Sequence, residues 1–281
     1  MEESLPSLLE VKLNLTLGGV ALGDSWISPI DYVLSWGPLL YDVSRLDENG
    51  LEEANSIAMQ IQDKLDLGQF ENATDLWSQL EGNISTSSNY VNFYNFLLDD
   101  NIDPLSPTAS EVSQGLTMKR YASYLSSLKA SPGGEDQLDT LMNGAIKDKF
   151  KIIPKNVKWG GQSLNVVDAF KGDFMRPRIN EVDKLLNNGI QVTIYNGQVD
   201  LICATKGTEA WVQKLKWNGL KMFNRMDRIP LYCGDTKTRG FLKAYKNLRF
   251  YWILEAGHFV PVEEPCLALE MVGNITNSPA T

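Results

Sequence analysis

The chain of 281 residues contains a single histidine, His258, and three cysteines, Cys203, Cys233 and Cys266. Zinc sites usually need several histidines or paired C-x-x-C cysteines, and neither is present. The cysteines allow one disulfide at most, with its pairing open, and leave a thiol unpaired. No G-x-G-x-x-G or Walker spacing is found either, so we expect neither a metal nor a cofactor.

Basic charge and long apolar runs are also scarce. The chain has 26 basic and 35 acidic residues, a formal net charge of −9 and a pI near 4.8. Nucleic acids and anionic membranes bind basic surfaces, so we expect neither as a partner. No apolar stretch approaches the roughly 18 residues that a membrane helix needs. A hydrophobic share of 43% and a charged share of 22% favour a packed globular core.

A secretory signal cannot be recognised at the N-terminus, because residues 1–5 (M-E-E-S-L) are acidic where a signal peptide has basic residues. Four N-x-S/T sequons nonetheless begin at Asn14, Asn72, Asn83 and Asn274. Asn14 lies at the start of an apolar segment, where a glycan would be awkward. The candidate glycosylation sites are therefore Asn72, Asn83 and Asn274, with coincidence as the alternative.

Hydrophobic patterning predicts an α/β protein. Short apolar runs at 17–23, 190–195 and 248–254 indicate buried strands, and helices are predicted at 174–187, 207–214 and 266–275. The region between the first two strands is mostly helical, with apolar residues at helical spacing over 51–65 and further helices near 70–80 and 91–98. We predict one domain over 1–281 that carries a helical insertion at 43–150.

Two polar residues follow predicted strands in conspicuous motifs. Asp200 ends the segment N-G-Q-V-D at 196–200, and His258 lies in A-G-H-F-V-P at 256–261. An aspartate after one strand and a histidine after a later one is the Asp…His half of a hydrolase triad in the α/β-hydrolase chain order. Asp200 would accept the imidazole N–H and fix its tautomer. The alternatives are a loop or capping carboxylate and a packed or surface histidine.

The third triad member, a serine in a G-x-S-x-G elbow, is missing from the sequence. Ser25 and Ser163 each follow a glycine-containing turn, but Ile27 and Asn165 stand where the elbow needs a small residue. We therefore expect neither serine to be a nucleophile.

The segments at 196–202, 209–211 and 256–261 resemble the acid and histidine motifs of the serine carboxypeptidase family, and those at 23–29 (G-D-S-W-I-S-P) and 35–38 (S-W-G-P) resemble its plant serine carboxypeptidase-like branch. The resemblance extends from about residue 18 to residue 275. It implies an α/β-hydrolase fold with a helical cap, and release of C-terminal residues from peptide substrates at acid pH. It also implies that Asp200 orients His258, the general base.

The same resemblance implies a nucleophilic serine in an S-Y-G-G elbow ahead of residue 18, which the 17 preceding residues do not supply. We therefore expect the chain to form the C-terminal part of the family fold and to be inactive without the nucleophile. We also expect an open sheet edge that another chain would cover. An acyltransferase of the same family and a non-catalytic peptide- or partner-binding protein are the alternatives. For a full-length relative the resemblance implies the secretory pathway, the vacuole or the cell exterior.

Overall fold

The computed structural model describes residues 16–100, 140–159 and 164–278, which form helices around one sheet. The strands are β1 (Gly19–Gly23), β2 (Gln191–Gly197), β3 (Ile229–Leu231), β4 (Gly240–Tyr245) and β5 (Leu248–Ile253). The helices are α1 (Pro29–Asp42), α2 (Glu48–Asp66), α3 (Phe70–Ser87), α4 (Lys147–Phe150, preceded by a π-helical turn at Met142–Ile146), α5 (Leu164–Phe174), α6 (Ile179–Asn187), α7 (Thr205–Val212), α8 (Leu220–Arg225), α9 (Val260–Glu263) and α10 (Pro265–Thr276). Across the described ranges, no helix is long and apolar enough to cross a bilayer.

The five strands lie in the order β1-β2-β5-β4-β3. β1, β2 and β5 are parallel, with Val192 of β2 opposite Val20 and Leu248, while β3 and β4 run antiparallel at the other edge. The strands predicted at 17–23, 190–195 and 248–254 are confirmed to within two residues. Because the carboxyl ends of parallel strands lie at one edge of a sheet, the loops after β1, β2 and β5 come together.

Helices cover both faces of the sheet. Phe250 and Trp252 of β5 pack in one cluster with residues of α6 and α7. Tyr251 and Ile253, which alternate with them, pack in a second cluster with residues of α10. Alternate side chains of a strand point to opposite faces, so the apolar run 250–253 of β5 is buried on both sides of the sheet.

A third core lies among the helices that follow β1. Ala54, Ile57, Ala58 and Ile61 of α2 are buried against α1 and α3, as the helical spacing predicted. Asp47 accepts a hydrogen bond from the amide of Gly50 and so caps the first turn of α2. The assignment of 1–281 to one domain with an insertion at 43–150 stays a prediction, since 101–139 fall outside the described residues.

The predicted helix at 91–98 is wrong, because the segment forms consecutive turns closed by a bridge between Val91 and Asp99. Asn92 explains the difference. Its Oδ1 accepts hydrogen bonds from the backbone amides of Tyr94 at 2.9 Å and Asn95 at 3.0 Å. Short polar side chains that bond nearby amides in this way compete with helix formation.

The helix predicted over 174–187 is correct only from Ile179 onward. Pro177 separates two helices, since the residue before a proline is driven away from helical geometry. The preceding helix, α5, ends at Phe174 and was not predicted. The inward positions of α6 are confirmed: Val182, Leu185 and Leu186 are buried.

Candidate active site

The two predicted residues, Asp200 and His258, are in contact. Nδ1 of His258 lies 2.9 Å from Oδ2 of Asp200. The carboxylate of Asp200 is fully buried, whereas 22% of the histidine side chain is exposed. The contact favours the tautomer that carries its proton on Nδ1, which leaves the lone pair of Nε2 available. Nε2 has no hydrogen-bond partner within the part of the chain that the structure describes.

Glycines allow the two loops to approach each other closely. A Cβ atom on Gly197, at the end of β2, would lie 2.1 Å from the carbonyl oxygen of Gly257. A Cβ atom on Gly257 would lie 2.2 Å from the carbonyl oxygen of Tyr94. Any side chain at either position displaces backbone, so the approach of the histidine loop to the aspartate loop depends on both glycines.

The 91–98 segment ties these loops together. The carbonyl oxygen of Phe93 accepts the amides of Leu201 at 3.1 Å and Ile202 at 2.9 Å. The neighbouring carbonyl, of Tyr94, accepts the amide of His258 at 2.8 Å. Consecutive carbonyls of one turn therefore hold the loop of the acid and the loop of the histidine. A helix would have used these carbonyls internally, so the wrongly predicted segment has a positioning role in the site.

Glu263 holds the histidine loop from the other side. Its Oε2 accepts the amide of Gly257 at 2.5 Å, and its Oε1 accepts Nδ2 of Asn95 at 2.9 Å. Glu263 was not predicted from the sequence. It is the first of two adjacent glutamates, and it ends α9, the short helix after the histidine motif. No feature of that pair alone indicates which backbone amide it meets.

Asp24 is a second acid that the sequence analysis left out of the site. It follows β1 with a φ of 42° and is only 6% exposed. Its Oδ1 accepts the amide of Gly197 at 2.9 Å and Nδ2 of Asn196 at 3.0 Å. Burial, followed by the negative charge of Asp200, holds the pKa of Asp24 well above its usual range. Asp24 could have been found from the sequence, because it follows an apolar strand as Asp200 does.

A buried polar network supports the turn between Asp24 and Asp200. Nδ2 of Asn196 also donates to the carbonyl of Cys203, and its Oδ1 accepts the hydroxyl of Thr208 at 2.7 Å. The hydroxyls of Thr208 and Tyr32 lie 3.0 Å apart. These partners fix the orientation of the Asn196 amide, because one side accepts from an O–H and the other donates to carbonyl and carboxyl oxygens.

The pKa of His258 reflects two opposed effects. Burial of the ring lowers the pKa, while the charge of Asp200, the hydrogen bond to it and the charge of Glu263 raise it. The net result is a pKa above the ordinary value. The imidazolium form is therefore stabilised by the pair, as a general base requires once it has accepted a proton.

The cysteines divide into a pair and a buried thiol. Cys233 and Cys266 form a disulfide, and Cys203 is free and buried. Burial, then the charge of Asp200, holds the pKa of the Cys203 thiol well above its usual value. Ligand-type atoms of Asp200, Cys203 and His258 lie within 4.8 Å of one another. Both carboxylate oxygens of Asp200 already accept hydrogen bonds, so we assign no metal there, and the expectation of no cofactor stays a prediction.

The serines considered as nucleophiles do not complete the site. Oγ of Ser25 donates to the carbonyl of Gly23 at 3.0 Å, and Ser163 lies outside the described residues. In the three described ranges, no serine hydroxyl is hydrogen-bonded to His258. The structure thus contains an acid and a base without a described nucleophile beside them.

The chain is similar to known proteins over most of its length. The family model for serine carboxypeptidases matches residues 9–278. Serine carboxypeptidase-like 51 of Arabidopsis thaliana is 56% identical over 95% of this chain and 59% of its own length, and the human retinoid-inducible serine carboxypeptidase is 44% identical over 94% and 58%. Among solved structures, the Saccharomyces cerevisiae prohormone-processing carboxypeptidase Kex1(Δ)p matches with a TM-score of 0.67 and 19% identity, over 97% of this chain and 58% of its own. The likeness confirms the α/β-hydrolase fold, and the chain spans little more than half the length of these relatives.

Proposed function

The chain belongs to the serine carboxypeptidase family, and from that premise we propose that Asp200 and His258 are the acid and the general base of a peptide-hydrolysing triad. The observation that carries the proposal is the 2.9 Å contact between Nδ1 of His258 and the buried carboxylate of Asp200. In this role Nε2 takes the proton of the attacking hydroxyl and returns it to the leaving amine, while Asp200 stabilises the imidazolium. The substrate class is a peptide with a free C-terminus.

The dyad can be tested directly, because His258 is the only histidine of the chain. In a tag-free, 15N-labelled protein every imidazole signal comes from this residue. We expect a strongly downfield-shifted Nδ1–H proton resonance and a titration midpoint above that of a model histidine. Asp200→Asn should remove the resonance and lower the midpoint by about one unit or more. A midpoint unchanged by Asp200→Asn contradicts the dyad.

We further propose that the 281 residues alone do not hydrolyse peptides. The chemistry needs a nucleophile and an oxyanion hole in addition to the dyad. Losing the nucleophile typically costs on the order of 10⁶-fold in kcat in serine proteases. The purified chain is therefore expected to leave a blocked dipeptide intact. Hydrolysis by the pure chain that disappears in His258→Ala overturns this part of the proposal.

A chimera tests whether the dyad is competent once a nucleophile is supplied. The part of serine carboxypeptidase-like 51 that this chain does not cover is joined to it in the relative's chain order. We expect the chimera to hydrolyse the blocked dipeptide, His258→Ala to abolish the activity, and Ser25→Ala to leave it unchanged. A folded chimera that retains full activity without His258 contradicts the assignment of the general base.

The acyltransferase alternative uses the same acid, base and serine, but passes the acyl group to an alcohol instead of water. The chimera distinguishes the two reactions when it is given an activated acyl ester together with an alcohol acceptor. Free acid as the main product supports the carboxypeptidase, whereas transfer to the alcohol at low acceptor concentration supports the acyltransferase.

We propose a secretory-pathway location for the folded protein. The disulfide between Cys233 and Cys266 supports it, because such bonds persist mainly in oxidising compartments. The side chains of Asn72 and Asn274 are exposed, while Nδ2 of Asn83 donates to Glu53. Expression through the secretory pathway of a eukaryotic host should therefore add glycans at Asn72 and Asn274 first. An unchanged mass after peptide-N-glycosidase treatment contradicts the glycan assignment.

A further inference from the structure

We propose that Asp24 is a positioning residue of the site, which as a neutral carboxylic acid anchors the turn after β2 and donates a hydrogen bond to the carboxylate of Asp200. This inference rests on the proposed function, since it explains how the acid of the dyad is held. It assigns a role to a residue that follows β1, whereas the members of the dyad follow β2 and β5.

The hydrogen bonds of Asp24 give it two distinct oxygens. Oδ1 accepts from the amide of Gly197 and from Nδ2 of Asn196, so this oxygen ties the end of β1 to the last residues of β2. Oδ2 is buried, and no hydrogen-bond donor in the described ranges reaches it. A buried acceptor left without a donor has lost its hydrogen bonds to water without replacement, which destabilises the folded state. The cost disappears if Oδ2 carries a proton and itself donates.

An acceptor for that proton is at hand. Asp200 interacts with Asp24, since, besides burial, its charge and a side-chain hydrogen bond with it are among the causes that raise the pKa of Asp24. Asp200 is engaged with the amide of Cys203 through Oδ1 and with the imidazole of His258 through Oδ2, and a carboxylate has lone pairs for more than two donors. A neutral Asp24 is thus a third donor to Asp200, with Gly197 and Asn196 holding its other oxygen.

Charge decides which of the two acids is neutral. Two buried carboxyl groups that interact with each other cannot both ionise without a large cost. Asp200 faces the imidazole, whereas no lysine or arginine in the described ranges pairs with Asp24. The titratable groups that interact with Asp24 or with its partner are Asp200, Glu263, Tyr195, Cys203, Tyr32 and, through Asp200, His258. Apart from His258, none of these groups can carry a positive charge that would stabilise an ionised Asp24. The proton is therefore retained on Asp24.

The test compares two substitutions in the tag-free chain, again read at its single histidine. Asp24→Asn keeps an acceptor oxygen and replaces the O–H by an N–H donor, so it mimics the neutral acid. We expect it to retain the downfield Nδ1–H resonance and leave the titration midpoint of His258 within about 0.3 unit of the original. If Asp24 were ionised, Asp24→Asn would remove a nearby negative charge and lower the midpoint by about one unit or more, which overturns the proposal.

Asp24→Ala removes both hydrogen-bonding functions. We expect it to broaden or abolish the Nδ1–H resonance, which Asp24→Asn retains. Ser25→Ala is the neighbouring control and should leave the resonance unchanged. If the resonance is absent from the unaltered chain, the proposed dyad fails; if it is present there but lost in Asp24→Asn, only the role of Asp24 fails.

A measurement without any substitution keeps the proposal testable if the variants unfold. The 13C shift of the Asp24 side-chain carboxyl reports its protonation in the unaltered chain. We expect the shift of a protonated acid at pH 6, where exposed aspartates are ionised. The shift of an ionised carboxylate at pH 6 overturns the proposal.

Discussion

The corner that holds Asp200 and His258 differs sharply from the outer edge of β1, although both belong to the same sheet. In the corner, every backbone amide from Gly197 to Cys203 has an acceptor. β1 is paired with β2 on one side, and on its other side no strand is present among the described residues. An apolar groove, lined by Ala21, Tyr195 and residues of α10, runs beside it.

Side-chain burial shows the same contrast. Asp200 and the strand ends around it are buried, whereas Gly19 and Ala21 of β1 are exposed. Leu269 and Val272 of α10, which line the groove, are 61% and 46% exposed. The geometry of the dyad is thus specified by contacts within the chain. The outer edge of β1 has no strand partner within residues 16–100, 140–159 and 164–278 and lies beside apolar side chains of the kind that proteins usually cover.

The strongest way to break the corner is Gly197→Ala. Its Cβ would lie 2.1 Å from the carbonyl oxygen of Gly257 and 2.5 Å from that of Ala256. The loops must separate, and we expect a loss of about 3 kcal/mol in the free energy of unfolding, together with loss of the His258 Nδ1–H resonance. Denaturant unfolding followed by tryptophan fluorescence measures the first effect.

Gly82→Ala is the matched control, since a Cβ atom at this position of α3 meets nothing within 4 Å. It should be neutral or stabilise by up to about 1 kcal/mol, because alanine is the better helix former. Equal losses for the two alanine variants would mean that the corner is not sterically constrained.

Asn92→Ala should produce the next largest effect. It removes the acceptor of the Tyr94 and Asn95 amides and the donor to Asp100. The turn whose carbonyls hold both loops then loses its own support, and we expect a loss of about 2 kcal/mol in the free energy of unfolding. The exposed Asn72→Ala serves as the control, with a change within about 0.5 kcal/mol. If Asn92→Ala lowers the free energy of unfolding no more than Asn72→Ala does, the 91–98 segment does not support the site.

These residues also show where sequence reasoning succeeds and where it ends. Asp200 and His258 were predicted because each follows an apolar strand, a property of consecutive residues. The 91–98 segment was predicted as a helix because the pattern of the surrounding region is helical, whereas its turns depend on which amides Asn92 meets. Asp24 accepts the amide of Gly197 and Glu263 accepts Nδ2 of Asn95, groups that are 173 and 168 residues away in sequence, and no local pattern encodes those contacts.

The corner should also make the stability of the chain dependent on pH. The pKa of His258 is raised, so its contribution is fully present below the pKa of an unfolded histidine and is lost as the pH rises through the folded value. The pKa of Asp24 is raised too, so above the pKa of an unfolded aspartate the folded state binds more protons and stability falls with rising pH.

Both groups therefore predict a higher free energy of unfolding at pH 5.5 than at pH 8. Denaturation at the two pH values checks this, and His258→Asn should reduce the difference, while Asp24→Asn should be most stabilising, relative to the original chain, at the higher pH. A free energy of unfolding that increases towards pH 8 contradicts the raised pKa values of both His258 and Asp24.

The smallest effect on folding is expected at the β1 edge, where Ala21→Lys places a charge beside the apolar groove. Because Ala21 is exposed, the free energy of unfolding should change by no more than about 0.5 kcal/mol. Self-association should change far more, since an edge lysine opposes strand pairing between chains. Sedimentation velocity over a range of concentrations should show that the original chain associates and that Ala21→Lys is monomeric.

Met59→Lys is the control, because it introduces the same charge at an exposed position on α2. It should leave the association intact. If the original chain is monomeric throughout, or if both lysine variants behave alike, the edge is not the surface through which copies of this chain pair.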